Sequence, residues 1–282
     1  MDIAKKEVLK KVYTKRHDWV HKGDFGKLAV IGGSKILTGS CCFSAMSAYK
    51  VGCDVVYVIA PKRAADVAAH YSPNIITVPL EGDYFELDDV DYVISKLEKY
   101  KITAVVLGPA IGRKRETELF VHDFLQKNKL PIVIDADGIR VFASMPIKLK
   151  TPTIFTPHAE EFRILTGVTL DKEIHKRIKQ VEESAKKFNA TIVAKGHFDI
   201  ITDGKKTVLN KTGSVFMTKG GMGDTLVGII GAYLARGINA YDSGYAGAFV
   251  NGKAGELASK KLGESTLATD LMDYIPQAIK LK

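Results

Sequence analysis

Leu28-Ala29-Val30-Ile31-Gly32 is a short apolar run closed by glycine. A segment of helical period, Ser40–Val51, follows it, and then comes a second run, Val55-Val56-Tyr57-Val58-Ile59-Ala60. Runs this rich in Val and Ile, nearly continuous in apolar character, are what strands covered on both faces look like. The pattern recurs at Ile75–Val78, Ala104–Leu107, Ile132–Ile134, Thr153–Phe155 and Thr191–Ala194. Helical segments fall at Arg63–His70, Val90–Lys99, Arg115–Asn128, Glu160–Thr166 and Lys172–Phe188. Strand alternating with helix predicts a three-layer α/β fold around a mostly parallel sheet. After Lys195 the pattern changes. Asp199–Thr202 and Thr207–Asn210 flank the turn residues Asp203-Gly204-Lys205-Lys206 and read as a hairpin. Three helical segments, Gly223–Arg236, Ala240–Leu262 and Leu267–Lys280, complete the chain.

The 282 residues give a prior of roughly two domains at about 150 residues each. No repeat, low-complexity tract or Pro/Ser-rich linker divides them, so residues 23–282 are expected as one domain. Residues 1–22 carry seven basic and three acidic side chains and read as a helical or loose extension. Its apolar positions Ile3, Val8, Leu9 and Val12 suit packing on the core or on a partner chain. The whole chain has 41 Lys and Arg against 32 Asp and Glu, a net +9 that favours anionic partners without choosing among them. Basic residues do not interleave with aromatics, so nucleic acid has little local support. The longest apolar stretch, Leu226–Ala235, is far short of the roughly 20 residues a membrane span needs. Three cysteines make no disulfide framework, and no secretory signal is visible. A cytoplasmic protein is the expectation.

In sheets of this kind ligands sit beyond the carboxyl ends of the strands. The sharpest segment there is Thr218-Lys219-Gly220-Gly221-Met222-Gly223-Asp224-Thr225-Leu226. Glycines at the mouth of an apolar helix let backbone N–H groups converge on an anion, and the helix dipole adds to the attraction. Asp224, in the first turn, could accept the proton of an attacking hydroxyl, or simply satisfy the N–H groups of its own helix. Ile31-Gly32-Gly33-Ser34 and Leu107-Gly108-Pro109-Ala110-Ile111-Gly112 are tight turns or places where a ligand nears the backbone. Neither matches the dinucleotide fingerprint. Asp135-Ala136-Asp137-Gly138 ends a strand with two carboxylates, suited to magnesium-bound water or ligand hydroxyls, or else to loop capping. Thr156-Pro157-His158-Ala159-Glu160-Glu161 opens a helix, with His158 either a cap or a ligand contact. Lys195 alone reads as a solvated charge. No histidine or cysteine cluster suggests a catalytic zinc, and no nucleophile elbow is present.

Taken in order, these motifs resemble the ribokinase-like superfamily, and within it the dehydratases that repair hydrated NAD(P)H. The carriers are Lys22-Gly23-Asp24-Phe25-Gly26-Lys27 leading into Val30–Ser34, then Gly108–Gly112, Asp135–Asp137, Thr156-Pro157-His158 with Glu161, and Gly220–Asp224. The resemblance implies a ribokinase-like fold and an ADP- or ATP-dependent dehydration of the S epimer of NADHX or NADPHX. The nucleotide phosphorylates the C6 hydroxyl of the hydrated nicotinamide ring, and phosphate then leaves. It also implies roles: Asp224 as base, and Gly221, Met222 and Gly223 as the anion hole. Ala45, Gly108, Gly112, Asp137, His158 and Asp224 would contact the hydrated cofactor. Lys195, Gly196, His197, Phe198, Asp199 and Gly223 would contact the adenine nucleotide. Glu161 falls where the superfamily keeps a glutamate for Mg²⁺, reached through water.

The sequence departs from the family pattern in three places. Met222 stands where Thr is usual, Ala110 replaces a glycine, and Asp199 stands where the nucleotide segment has Thr. A carboxylate at 199 beside phosphates is unfavourable unless magnesium or a lysine answers it. Many relatives carry an N-terminal epimerase domain of about 200 residues, for which 282 residues leave no room, so an epimerase is expected as a separate protein. A homo-oligomer is the family's habit. The same motifs also suit a small-molecule kinase for a vitamin precursor or sugar, or a catalytically silent nucleotide-binding protein.

Overall fold

The apolar runs become ten strands of one sheet: β1 (Asp2–Ile3), β2 (Lys27–Ile31), β3 (Val55–Pro61), β4 (Ile76–Leu80), β5 (Ala104–Leu107), β6 (Ile132–Ile134), β7 (Thr153–Phe155), β8 (Thr191–Ala194), β9 (Asp199–Thr202) and β10 (Thr207–Asn210). The helices are α1 (Leu9–Val12), α2 (Ser40–Lys50), α3 (Lys62–Tyr71), α4 (Asp89–Lys99), α5 (Arg115–Lys127), α6 (Asp137–Ser144), α7 (Ala159–Thr166), α8 (Ile174–Phe188), α9 (Met222–Ala235), α10 (Ala240–Leu262) and α11 (Ala268–Ala278). These come from a computed structural model, which describes residues 2–281.

Side chains alternate across a pleated strand, so each strand feeds two cores. Leu28 and Val30 of β2 join the core under α2, α9, α10 and α11. Ala29 and Ile31, their immediate neighbours, join the core under α4–α8. That two-sided demand explains why the runs are continuously apolar, and it produces the expected three layers. The strand order is β1-β10-β9-β8-β7-β6-β5-β2-β3-β4, with β9 alone antiparallel to its neighbours. The chain leaves β2 toward β3 and β4 on one side, then crosses to β5 and builds outward on the other. Loops after β2 and β5 therefore diverge, which opens a crevice at their carboxyl ends.

Two expectations are corrected. The start of the chain is neither loose nor merely helical: Asp2 and Ile3 pair with Val208 and Leu209 at the sheet edge, and Val8, Leu9 and Val12 are buried in the core. Val8, Leu9 and Val12 thus pack on this chain, while Ile3 stays exposed. Asp137–Ser144, unassigned in the sequence, is a helix, because Ala136 turns directly out of the β6 loop at φ 51°. β4 also runs on through Pro79 to Leu80, tolerable because β4 is an edge strand and needs no N–H there.

Helix α9 carries the glycine-rich motif at its mouth and is buried at twelve of its fourteen residues. A helix apolar on all sides belongs at the centre of the layer. Close packing with α2 depends on Gly228, where a Cβ would lie 2.1 Å from the Ser44 carbonyl oxygen and 2.2 Å from the Ser47 hydroxyl. Gly228→Ala is expected to force the two helices apart and cost about 1–3 kcal/mol or more, read as a lowered midpoint in denaturant unfolding. An unchanged midpoint would show that this contact relaxes freely.

Candidate active site

Two helix N-termini, those of α2 and α9, meet at the crevice. Gly221 caps α9 in the left-handed region at φ 92°, against the Phe43 ring. The Met222 N–H reaches the Lys219 carbonyl only at 3.5 Å, and the Gly223 and Asp224 N–H groups have no backbone acceptor. First-turn donors left open in this way are free to meet an acceptor from outside the helix. The helix end is braced from α10: Asn251 accepts from the Thr225 hydroxyl at 2.8 Å and donates to the Met222 carbonyl at 3.4 Å.

Asp224 lies beside that site. Burial, reinforced by the negative charge of Asp135, raises its pKa from 3.8 to about 7; a hydrogen bond from Ser40 and the charge of Lys195 pull the other way. A carboxylate held near neutrality is a far better proton acceptor than an ordinary aspartate. Asp135, at the end of β6, is itself buried and accepts from the Thr156 hydroxyl at 2.6 Å and from Lys195 Nζ at 2.9 Å.

Lys195 is not the solvated charge its sequence position suggests. Its side chain is 20% exposed, and Nζ also lies 3.8 Å from Glu161 Oε2. Burial works to discharge it, but the Asp135 and Glu161 carboxylates outweigh burial and hold its pKa above the ordinary lysine value.

His158 caps α7. Its Nδ1 accepts from the Glu160 and Glu161 N–H groups, and Glu161 Oε2 accepts from the His158 N–H at 2.9 Å. With Nδ1 accepting, the ring proton sits on Nε2, 3.2 Å from Glu161 Oε1. The ring remains half-exposed at the crevice. Asp137 accepts from Arg113 Nε at 2.5 Å and from the Gly112 N–H at 3.3 Å, which draws the β5 and β6 loops together. Ala45 and Gly108 are different: both are buried, Ala45 in the core of α2 and Gly108 against the Asp135 carbonyl. Ala45 has no accessible surface and Gly108 little in this conformation.

On the other side of α9 lies a cleft of about 520 Å³, and the segment Lys195–Asp199 together with Gly223 lines it. Lys211, Thr212, Val215, Met217, Leu226 and Asn251 complete its wall, a mixture suited to a flat apolar ring with polar edges. Apart from Leu226, which ends the glycine-rich segment, none of these stands out in the sequence, because they come from the hairpin exit, the following loop and the buried face of α10. Met222 lines the cleft with a buried side chain. Asp199 does not project freely toward a ligand. Its carboxylate accepts the Gly196 N–H at 3.1 Å and the Asn210 amide at 3.0 Å, and so closes the 195–199 turn. Burial raises its pKa, while Asn210, Gly196 and Lys195 oppose that rise. Lys195 is the least of these influences, and among the described residues no cation pairs with the Asp199 carboxylate.

The sequence profile of NAD(P)H-hydrate dehydratases matches residues 28–277. The chain belongs to this family. An ADP-dependent (S)-NAD(P)H-hydrate dehydratase from Cenarchaeum symbiosum is 34% identical over 235 residues, 83% of this chain and 81% of that one. A bifunctional NAD(P)H-hydrate repair enzyme from Hyperthermus butylicus is 36% identical over 268 residues, 92% of this chain but 49% of its own length. This chain spans less than half of the several bifunctional dehydratase-family enzymes it matches. The ADP/ATP-dependent NAD(P)H-hydrate dehydratase from Bacillus subtilis, co-crystallized with ATP and Mg²⁺, superimposes with a TM-score of 0.82 at 22% identity, covering 98% of this chain and 97% of that one. The family's ribokinase-like fold is thus the fold of this chain. Among the described residues, no helix is long and apolar enough to cross a membrane.

Proposed function

We propose that this chain uses ADP or ATP to dehydrate (S)-NADHX or (S)-NADPHX to the reduced cofactor. The observation that carries the reading is Asp224: a carboxylate tuned to about 7 beside open N–H groups, with a cleft of about 520 Å³ adjoining it. The nucleotide occupies the cleft lined by Lys195–Asp199 and Gly223, and its terminal phosphoryl group rests on the backbone of Gly221–Gly223. The hydrated ring lies across Asp224, between His158, Asp137 and Gly112. Asp224 takes the proton of the C6 hydroxyl as its oxygen attacks phosphorus, and AMP or ADP departs. The C6–O bond then breaks, pushed by the ring-nitrogen lone pair, and phosphate leaves with the electron pair. Loss of the C5 proton restores the double bond. Preorganised donors supply most of the acceleration in such transfers.

Magnesium enters this scheme with the nucleotide. Among the described residues no cluster of three potential metal ligands exists, and the Lys195 ammonium lies near Glu161. Glu161 is the residue that would hold magnesium, through water, and the ion would supply neutralisation of the phosphate charge. The S-specific activity implies an epimerase that supplies this hydrate from its R epimer, a cytoplasmic setting where the cofactor pool lies, and a homo-oligomeric assembly in keeping with the family.

Purified (S)-NADHX and (S)-NADPHX incubated with ADP and with ATP in parallel test the proposal. Recovery of reduced-cofactor absorbance with one nucleotide consumed per turnover is expected. Phosphorylation of another small alcohol, with hydrates untouched, would favour a kinase instead. The pH profile provides a further check. Asp224 must be ionised to act, so kcat/KM, which reports the free enzyme, is expected to rise with pH through an ascending limb near 7. A flat profile from pH about 5 to 8 would remove Asp224 as base.

A further inference from the structure

Lys195 has more donor capacity than its ion pairs consume. An ammonium has three N–H bonds. One is committed to Asp135 Oδ1 at 2.9 Å, and Glu161 Oε2, at 3.8 Å, is a charge neighbour beyond hydrogen-bond reach. The backbone is fixed as well, since the Lys195 N–H donates to the Pro157 carbonyl at 2.8 Å. Nζ lies 3.6 Å from the place a Cβ would take on Gly223, so it faces the open end of α9 across the space glycine leaves free. The other lysine of the nucleotide cleft, Lys211, sits by the Phe198 ring instead. Asp135 has a second donor in the Thr156 hydroxyl, at 2.6 Å.

We propose that Lys195 is a catalytic residue, whose spare N–H bonds hold the transferring phosphoryl oxygens against the N-terminus of α9 as phosphorus passes from nucleotide to acceptor. This rests on the phosphoryl-transfer reading above, and it assigns Lys195 to the transition state rather than to nucleotide affinity. Charge on the equatorial oxygens must be met throughout the transfer, and a buried cation already paired with carboxylates needs no reorganisation to meet it.

The test uses AMP and ADP, each titrated with magnesium alone and with magnesium plus fluoroaluminate, a planar mimic of the phosphoryl group in flight. Lys195→Gln is expected to bind nucleotide alone within about threefold of the parent and the fluoroaluminate complex about 10²-fold more weakly, the loss typical of one transition-state donor. Equal losses for both complexes would make Lys195 a ground-state contact, and no loss in either would make it a structural ion pair; each overturns the proposal. Should Lys195→Gln fail to fold, Asp135→Asn/Lys195→Gln removes the opposed charge too and is expected to fold and to show the same selective loss. The assay needs no hydrated cofactor. An unaltered protein that gains affinity with fluoroaluminate but leaves NAD(P)HX untouched therefore counts against the substrate and leaves Lys195 its role. An unaltered protein with no such gain overturns both.

Discussion

Asp224→Asn is expected to lower turnover about 10³-fold and, at the same time, to make the protein more stable above neutral pH. The first effect follows from losing the proton acceptor while its isosteric amide keeps the helix mouth intact. The second follows from linkage. In the unfolded chain this carboxyl titrates near its ordinary value of 3.8; in the folded chain burial and Asp135 raise it to about 7. The native state therefore holds the proton more tightly, and stability falls as pH rises from about 4 to about 7. Above that range the parent keeps a disfavoured buried charge, and the variant does not. Three pKa units correspond to about 4 kcal/mol, but Asp224 retains some contact with water, so a gain of about 1–3 kcal/mol is the expectation at pH 8. Below about pH 4 the two proteins should converge. Urea titrations at pH 4 and pH 8 measure the difference directly. Equal stability at both would mean the carboxylate is solvated and that its environment confers no basicity.

That trade explains which parts of the site can be read from residues alone. Helices and parallel strands were legible because continuous Val/Ile runs have few other uses, and the hairpin at 199–210 was legible because Asp203-Gly204 marks its turn. The open helix mouth at Gly221–Asp224 was legible too, since glycines before an apolar helix combine a backbone shape with a dipole. Lys195 and Asp135 were not. A lysine after a strand is usually solvated, and only the sheet order, which sets β7 between β6 and β8, brings the two side chains to 2.9 Å. His158 left two roles open because a capping histidine and a ligand-facing histidine have the same sequence surroundings; the structure shows the cap, with the ring still half-exposed. Asp199 was legible as an anomaly but not as the brace of its own turn, since Asn210 reaches it across the hairpin. The N-terminal segment was partly legible: Val8, Leu9 and Val12 suited packing on the core, where they lie, but nothing marked Asp2–Ile3 as an edge strand.

The loop after β5 carries the second large effect. Gly108→Ala is expected to destabilise the protein by more than about 3 kcal/mol or to prevent folding, whereas Ala110→Gly, two residues on, should be tolerated. Gly108 sits at φ 115°, a backbone region closed to residues with a Cβ. Space is also lacking: the added carbon would lie 2.1 Å from the Asp135 carbonyl oxygen and 2.8 Å from the Gly138 nitrogen. Both are backbone atoms, which cannot swing aside as a side-chain tip can. Relief would require the β5 and β6 loops to part, and that motion carries Asp135 away from Lys195 and Asp137 away from Gly112. Any fraction that folds should therefore lose activity beyond its loss of stability. Ala110, by contrast, already occupies the left-handed region at φ 54°. Glycine there removes a strain of roughly 1–2 kcal/mol and gives part of it back as unfolded-state entropy, so the net change should lie within about 1 kcal/mol of zero. Denaturant midpoints for the two variants decide the matter. A Gly108→Ala protein with a parental midpoint would show that the loops are not held at the distances that build the site.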